Sequence, residues 1–534
     1  MAFVVKVEES RPAADERPSA GPVYRSIYAK DGLMELPEGL ESPWQFLSVS
    51  AKKYPNNPML GRREVTDKKV GPYVWLTYQE VYDSAIRIGS AIRSRGVNPG
   101  DRCGIYGSNC PRWLTAMEAC NSQAITYVPL YDTLGANAVE FIINHAEVSI
   151  AFVQDNKLPS VLSCLPNCST NFKTIVSFEN VSSTQKEEAE GLGVSCFSWE
   201  EFSQLGNADC ELPPKRKTDI CTIMYTSGTT GEPKGVIISN RAILAEVLSV
   251  EQLLFLTDRV DIRFLLEDLQ ELRPTMFCGV PRVYDRIYSG LTESCGGCFT
   301  SISNVFPMIG TVGVPVTTIE ARLESVPAMG YDALSSVPRG EICLRGTTLF
   351  SGYHKREDLT EEVLIDGWFH TGDIGEWQAD GSMKIIDRKK NIYKLSQGEY
   401  VAVENIESKY LQCPLITSIW VYGNSFESFL VAVVVPDSKA MEHWAAEYHL
   451  TDDFKSLCQN SKARKYILDE LNSTGQKQHL RGFELLKAVH LEPNPFDMER
   501  DLITPTFKLK RPQLLKYYKD CIDKLYSEGK GARP

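Results

Sequence analysis

Apolar positions between residues 77 and 153 alternate between two periodicities. Residues 77–80, Thr-Tyr-Gln-Glu, have the form of a helix-starting capping box, and apolar residues then recur at helical spacing: Val81, Ala85, Ile88 and Ile92. A short strand-like run at residues 103–106 follows, and helix and strand then recur twice, in residues 113–130 and 136–153. Short apolar strands that alternate with helices are typical of a mostly parallel, doubly wound sheet. The pattern therefore predicts an α/β domain.

The pattern changes after about residue 335. Residues 341–345 and 383–386 have the character of strands, and residues 387–391, Asp-Arg-Lys-Lys-Asn, form a charged break typical of an interdomain linker. Beyond it, residues 415–435 have the pattern of a hairpin, and a last helix is expected from Pro512 with one apolar face: Leu515, Tyr518, Ile522 and Leu525. We therefore predict a mobile tail at 1–20, a large doubly wound α/β domain at 21–386, a hinge at 387–391, and a smaller, mobile α+β C-terminal domain at 392–534.

Composition excludes several classes of protein. The 534 residues include 57 basic and 69 acidic side chains, a net charge of −12, and a chain this acidic is a poor candidate for binding nucleic acid. The 15 scattered cysteines indicate reduced, intracellular thiols. No signal peptide, membrane-spanning run or C-terminal peroxisomal tripeptide is visible. We expect a cytoplasmic protein, with peripheral contact at the endoplasmic reticulum membrane left open and no protein partner readable.

The strongest chemical signal is a loop rich in glycine and hydroxyl side chains between two apolar strands, at residues 225–235. Glycines allow tight turns that expose backbone N–H groups, and a lysine adds positive charge. The spacing differs from that of the Walker loop. The loop therefore predicts a polyphosphate cradle made by Thr226, Ser227, Gly228, Thr229, Thr230, Gly231 and Lys234. By contrast, the lone Cys-Gly-Gly-Cys at 295–298 lacks a second ligand pair, so we expect no metal there.

Further motifs follow this loop in a recognisable order. Residues 226–235 resemble the phosphate-binding signature of the AMP-forming, adenylate-forming superfamily. Five further segments resemble other signatures of this superfamily: 290–293 (Gly-Leu-Thr-Glu), 340–346, 370–373 (His-Thr-Gly-Asp), 387–391 and 504–508. Residues 393–401 are most similar to eukaryotic long-chain fatty acyl-CoA synthetases, and the whole chain has a plant-like character. The resemblance covers nearly all of the sequence.

The resemblance implies a two-domain fold and a reaction in two steps, in which a fatty acid forms an acyl-adenylate with ATP and coenzyme A then displaces AMP. It implies that the residues of the phosphate loop hold the leaving phosphates, that Thr292 contacts the α-phosphate and that Glu293 binds Mg²⁺. Asp373 would accept the ribose hydroxyls and Arg388 would reach the ribose. Lys508 would reach the α-phosphate and the carboxylate.

The sequence also departs from this family. Only 67 positions separate Thr226 from Glu293, a stretch that is much longer in long-chain synthetases. Two breaks are expected, near 259–261 and near 288–290, which would remove parts of the acyl tunnel and of the adenine site. The alternatives are therefore a catalytically impaired or inactive form that keeps partial nucleotide binding, or another carboxylate-adenylating ligase. A carrier-linked amino-acid adenylation domain is disfavoured, since residues 393–401 do not match that family.

Overall fold

The computed structural model describes residues 3–14, 17–66, 69–131, 137–226, 232–254, 288–300, 308, 311–448, 453–504 and 509–531. The sequence also predicts helices at 262–272 and 283–288 and a strand at 275–280. These segments lie outside the described residues except for Tyr288, which begins a strand. Within the described residues, the first half is built on a mostly parallel sheet, and antiparallel strands dominate from residue 288 to residue 388.

The predicted parallel sheet is confirmed. Six of its seven strands are parallel to one another, and only Lys234–Ser239 is antiparallel to its neighbour, Ile220–Thr226. In spatial order the strands are Lys234–Ser239, Ile220–Thr226, Thr126–Pro129, Arg102–Tyr106, Val148–Val153, Thr174–Ser177 and Ser195–Ser198. The four residues of Thr126–Pro129 are all buried, as expected of a strand covered on both faces.

Helices connect and cover these strands. The helix Tyr78–Ser94 begins as the sequence predicts, since Thr77 accepts from the backbone N–H of Glu80 and the Glu80 carboxylate accepts from that of Thr77. The other helices of the first half are Trp44–Lys53, Pro111–Ser122, Ala138–His145, Leu158–Cys164, Ser183–Gly191, Trp199–Gln204 and Asn240–Leu254. A two-stranded ribbon, Pro58–Thr66 with Lys69–Thr77, lies in the chain between the helices Trp44–Lys53 and Tyr78–Ser94.

A second seven-stranded sheet is antiparallel throughout, and it corrects one expectation. Its strands are Val4–Glu8, Val23–Ser26, Ile319–Glu324, Arg339–Gly346, Leu364–Ile365, Trp368–Trp377 and Met383–Arg388. Residues 1–20, expected to be a mobile tail, therefore supply an edge strand, in which Val4 is buried. An ion pair between the Glu8 carboxylate and Arg345 also connects this strand to Arg339–Gly346. A smaller sheet joins Tyr288–Leu291, Gly296–Thr300 and Val314–Pro315, and the helix Glu357–Val363 packs nearby.

The C-terminal region has the expected α+β character. The predicted hairpin is confirmed as Ile416–Tyr422 with Leu430–Pro436, and Leu486–Leu491 joins it in parallel. A short ribbon, Ile392–Lys394 with Tyr400–Ala402, precedes it. The helices are Val403–Tyr410, Ser438–Glu447, Phe454–Gln459, Ser461–Lys477, Arg511–Tyr517 and Lys519–Gly531.

Two local expectations differ from the structure. The expected last helix is two helices, interrupted at Tyr518. The first of them begins at Arg511 and turns Leu514, rather than Leu515, toward the core, where Leu514 is fully buried. The charged break begins inside a strand, since Asp387 and Arg388 continue Met383–Arg388 and pair with Ile374 and Asp373. Only residues 389–391 leave the sheet, as a single 3-10 turn.

The apolar cores separate on either side of this turn. Three large clusters are built from residues before 386, and two from residues after 392. A small cluster around Val326, Ile374 and Ile392 joins the two sides. The position of the boundary stays a prediction. No described cysteine is in a disulfide, and among the described residues no helix combines the length and apolar character needed to cross a membrane.

Candidate active site

The predicted phosphate cradle lies at the end of a hairpin. Strands Ile220–Thr226 and Lys234–Ser239 are antiparallel, and Thr226 and Lys234 are register partners at the end where the loop connects them. The structure therefore places these two predicted site residues side by side. The remaining loop residues that we predicted lie outside the described part of the chain: Ser227, Gly228, Thr229, Thr230 and Gly231.

The predicted metal-binding carboxylate lies in a 3-10 turn, Thr292–Ser294, directly after the strand Tyr288–Leu291. This residue is Glu293. The Tyr353 hydroxyl donates to Oε1 of Glu293 at 2.9 Å, and the backbone N–H of Phe350 donates to the backbone carbonyl of Glu293 at 2.8 Å. The Lys234 ammonium lies over the Tyr353 ring, 5.1 Å from its centre. Lys234 and Glu293, which are 59 positions apart, are thus brought together around one tyrosine.

The predicted ribose site is assembled by two neighbouring strands. Asp373 and Arg388 are register partners, and Nε of Arg388 lies 3.1 Å from Oδ1 of Asp373. Asp373 is buried, and its backbone N–H donates to the hydroxyl of Thr371, while that hydroxyl donates to the Ile342 carbonyl. The structure therefore brings the two residues predicted for the ribose site together on adjacent strands.

Glu341 organises this region. It lies within the 340–346 motif, but the sequence predicted no role for it. Its carboxylate accepts from the backbone N–H of Gly372 and from Nζ of Lys389, and it lies 3.5 Å from Nδ1 of His370. Burial opposes its ionisation, but the hydrogen bonds from His370 and Lys389 prevail and lower the pKa of Glu341 to about 2. One carboxylate therefore connects three of the motifs, at 340–346, 370–373 and 387–391.

A histidine pair behind the phosphate hairpin was also missed. Nδ1 of His145 lies 2.7 Å from the hydroxyl of Tyr225, and the ring of His354 meets that of His145 edge to face, 5.2 Å away. Lys355 donates to the carbonyl of His145 and to the Glu147 carboxylate. Burial lowers the pKa of His145, and burial with the nearby positive charges lowers that of His354 to about 4. No local signal could have found these contacts, since the partners are far apart in sequence.

The predicted catalytic lysine, Lys508, lies outside the described residues, but both flanks of its loop are described. Ile503 and Leu509 form an isolated antiparallel bridge, and the backbone N–H of Lys510 donates to the Leu502 carbonyl at 2.9 Å. Arg511 then forms a bidentate pair with Glu407. The loop is thus closed at its base and attached to the helix Val403–Tyr410.

One other group of side chains has the composition of a metal site. Ligand atoms of Glu324, Cys343 and His370 all lie within 4.8 Å of one another. The Glu324 carboxylate already pairs with Arg11 and Arg322, and burial raises the pKa of the Cys343 thiol well above its usual range. Because the Glu324 carboxylate is already engaged by two arginines, we interpret this group as structural.

Comparison with known proteins assigns these features to one family. The family model described as AMP-binding enzyme matches residues 47–260. A probable CoA ligase of Humulus lupulus is 64% identical, with 100% of both chains covered. Long chain acyl-CoA synthetase 2 of Arabidopsis thaliana is 58% identical, covering 99% of this chain and 98% of its own.

Among solved structures, the adenylation domain of a carboxylate reductase from Mycobacterium chelonae matches with a TM-score of 0.74 at 21% identity, covering 92% of each chain. This likeness shows that the two chains share their fold, the two-domain α/β fold of the adenylate-forming enzymes.

The alignments also locate a difference in length. The match to the Humulus lupulus protein extends over 657 positions, whereas this chain has 534 residues, so at least 123 of the aligned positions have no residue here. The family model stops matching at residue 260, which coincides with the first of the two breaks expected from the sequence.

Proposed function

Because the chain belongs to the long chain acyl-CoA synthetases, a family of AMP-binding enzymes, we infer that its reaction is the ATP-dependent ligation of a long-chain fatty acid to coenzyme A. In the first half-reaction the fatty acid carboxylate attacks the α-phosphorus of ATP, and pyrophosphate leaves. In the second, the thiol of coenzyme A attacks the acyl-adenylate, and AMP leaves. The observation that carries this proposal is 58% identity over 99% of the chain.

The described side chains fit the first half-reaction. Thr226 and Lys234 border the phosphate loop, where an ammonium group stabilises the charge of the departing pyrophosphate. Asp373, held by Arg388, is suited to accept from both ribose hydroxyls. We assign to Thr292 contact with the α-phosphate, and to Lys508 contact with that phosphate and the fatty acid carboxylate.

The residues present also fit a magnesium ion. Glu293 offers a hard oxygen ligand, and Lys234 lies close to it across Tyr353, as a site for a metal-bound polyphosphate requires. When bound, Mg²⁺ neutralises charge on the phosphate oxygens. The contribution of the protein is to hold the carboxylate beside the phosphate hairpin.

We propose that the turn at residues 389–391 is a hinge that serves the two half-reactions in succession. One orientation would bring Lys508 to the α-phosphate, and a rotated one would bring the face at 394–399 to the site and open a path for coenzyme A. The separation of the apolar cores on either side of residue 391 supports this proposal. A few residues that change their backbone angles are sufficient for such a rotation.

The missing alignment positions favour a second proposal, that this chain is catalytically impaired. Parallel strands need crossovers of about a dozen residues or more, and residues 240–289 offer little material for the walls of an acyl tunnel. The phosphate hairpin and the Asp373–Arg388 pair are nevertheless formed. Nucleotide binding without efficient turnover is the expected result.

One experiment tests both proposals. Acyl-CoA formation from a C16 fatty acid and fatty-acid-dependent ATP–pyrophosphate exchange are measured on this chain and on a version with the missing segments restored. If the restored version is active and the 534-residue chain is not, both the ligase function and the impairment of this chain are supported. Comparable specific activity in the two proteins would falsify the claim of impairment. Inactivity of both would contradict the ligase assignment. We further propose a cytoplasmic enzyme in peripheral contact with the endoplasmic reticulum membrane, which flotation with vesicles tests.

A further inference from the structure

Tyr353 lies in a segment that is fixed to the strand after the phosphate loop. The backbone N–H of His354 donates to the Gly235 carbonyl at 2.7 Å, and Ile237 exchanges backbone hydrogen bonds with Ser351 and Gly352 at 2.9 and 3.0 Å. The backbone N–H of Tyr353 donates to the Thr360 hydroxyl at 2.9 Å. Since its backbone is held at each of these points, the side chain of Tyr353 has a defined direction.

That side chain contacts two predicted site residues with its two different parts. The hydroxyl donates to Oε1 of Glu293 at 2.9 Å, and the ring face carries the Lys234 ammonium. The residue is only 8% exposed, and Phe350 packs edge to face against its ring. A hydrogen bond to a charged group and a cation over an aromatic face are both stronger when water is excluded.

We propose that Tyr353 is a positioning residue that holds the Glu293 carboxylate and the Lys234 ammonium in the arrangement that a magnesium-bound polyphosphate requires. The carboxylate has two oxygens, so one can accept from Tyr353 while the other faces a metal ion. The ammonium contacts the ring face and the carboxylate contacts the hydroxyl, so two different parts of one side chain hold the two charged groups. This role rests on the proposed function, because it concerns the ATP site.

Two substitutions separate the two contacts. Tyr353→Phe keeps the ring and removes the hydroxyl, whereas Tyr353→Leu removes both. A matched control is Tyr518→Phe, because the Tyr518 hydroxyl donates to Oε2 of Glu492 at 2.8 Å in the C-terminal core, and Tyr518 is also buried. The measurement is calorimetric titration of the full 534-residue chain with ATP, in EDTA and over a range of free Mg²⁺. Thermal melting of each variant is recorded in parallel.

For Tyr353→Phe we expect the free Mg²⁺ concentration at half-maximal ATP binding to rise about ten-fold, since a hydrogen bond to a charged group is lost. Its ATP affinity in EDTA should stay within about two-fold of the unaltered chain. Tyr353→Leu should also weaken binding in EDTA, by about three-fold or more, through loss of the cation–π contact. In a Glu293→Gln background, Tyr353→Phe should have no additional effect on the Mg²⁺ dependence.

An unchanged Mg²⁺ dependence in Tyr353→Phe overturns the positioning role and leaves the proposed function intact. The same shift in Tyr518→Phe overturns it too, since general loss of stability would then explain both. A Mg²⁺ shift that persists in the Glu293→Gln background shows that Tyr353 does not act through Glu293. If the unaltered chain binds no ATP with or without Mg²⁺, the proposed function itself fails, and this role fails with it.

Discussion

The buried pair between Glu407 and Arg511 is the point where the base of the Lys508 loop can be tested. Their oxygen and nitrogen atoms meet at 3.0 and 2.6 Å, and the backbone N–H of Val421 also donates to Oε1 of Glu407 at 2.7 Å. Their side chains are 8% and 10% exposed. Glu407→Gln keeps the shape of the acid but leaves the guanidinium without its buried counter-ion.

Removal of one partner of a buried ion pair costs about 3–5 kcal/mol. We expect about 3 kcal/mol for Glu407→Gln, because the amide oxygen still accepts one hydrogen bond and Glu404 lies 3.7 Å from Arg511. At about 1.4 kcal/mol per factor of ten, the opening constant of this region rises roughly a hundred-fold or more. Hydrogen exchange of the full chain, followed by mass spectrometry on peptides covering Val403–Tyr410 and Arg511–Tyr517, measures that constant.

Two further variants make the result specific. Asp523→Asn breaks an exposed pair with Lys519, in which both side chains are more than 60% exposed, and should change exchange very little. The double variant Glu407→Met with Arg511→Met should lose less protection than Glu407→Gln, since no charge is left buried alone. The reasoning would be refuted if the exchange protection of Glu407→Gln stayed within about 1 kcal/mol of that of the unaltered chain. It would also be refuted if the double variant lost as much protection as Glu407→Gln.

Three other predictions follow from the structure. The pKa of His354 is about 4 in the folded chain and about 6.5 in the unfolded chain, so between these pH values the unfolded state binds more protons. The free energy of unfolding should therefore fall by up to about 3 kcal/mol as the pH drops from 6.5 to 4. His354→Asn should flatten this part of the stability–pH curve, and an unchanged slope would show that His354 is not the cause. In a complete, active form, Lys508→Ala should reduce adenylate formation far more than thioester formation from supplied acyl-adenylate, whereas equal losses would exclude the assigned role. Limited proteolysis should cut first near residues 387–391, and a first cut within 100–150 would count against the boundary.

Local signals made much of the fold predictable. The capping box at Thr77 and Glu80 gave the start of a helix, and the alternation of helix and strand to residue 153 gave the parallel sheet. The strand Val4–Glu8 was not predicted. Its one strand partner, Val23–Ser26, is close in sequence, but that strand enters the sheet only by pairing with Ile319–Glu324, nearly 300 residues later. Polar composition around Val4–Glu8 suggested a tail, and composition carries no information about a distant partner.

The candidate site divides in the same way. Asp373 and Arg388 are found from motifs, and they meet because two adjacent strands place them in register. Glu341 lies within the 340–346 motif without a predicted role, and Tyr353 lies in no motif. The importance of both arises from partners on other strands and turns. Motifs thus identify candidate ligand-binding residues, whereas the residues that orient these candidates become visible only in three dimensions.

The N-terminal edge of the antiparallel sheet has a consequence for synthesis on the ribosome. Val23–Ser26 pairs with Ile319–Glu324, so once Val23–Ser26 has been made it must wait for nearly 300 further residues before this partner exists. At roughly 5–20 residues per second, that wait is on the order of 15–60 s. During this wait, the edge of Val23–Ser26 that later pairs with Ile319–Glu324 is open to other chains. Yield and aggregation in the cell therefore depend on how the first 26 residues are protected while the rest of the chain is made.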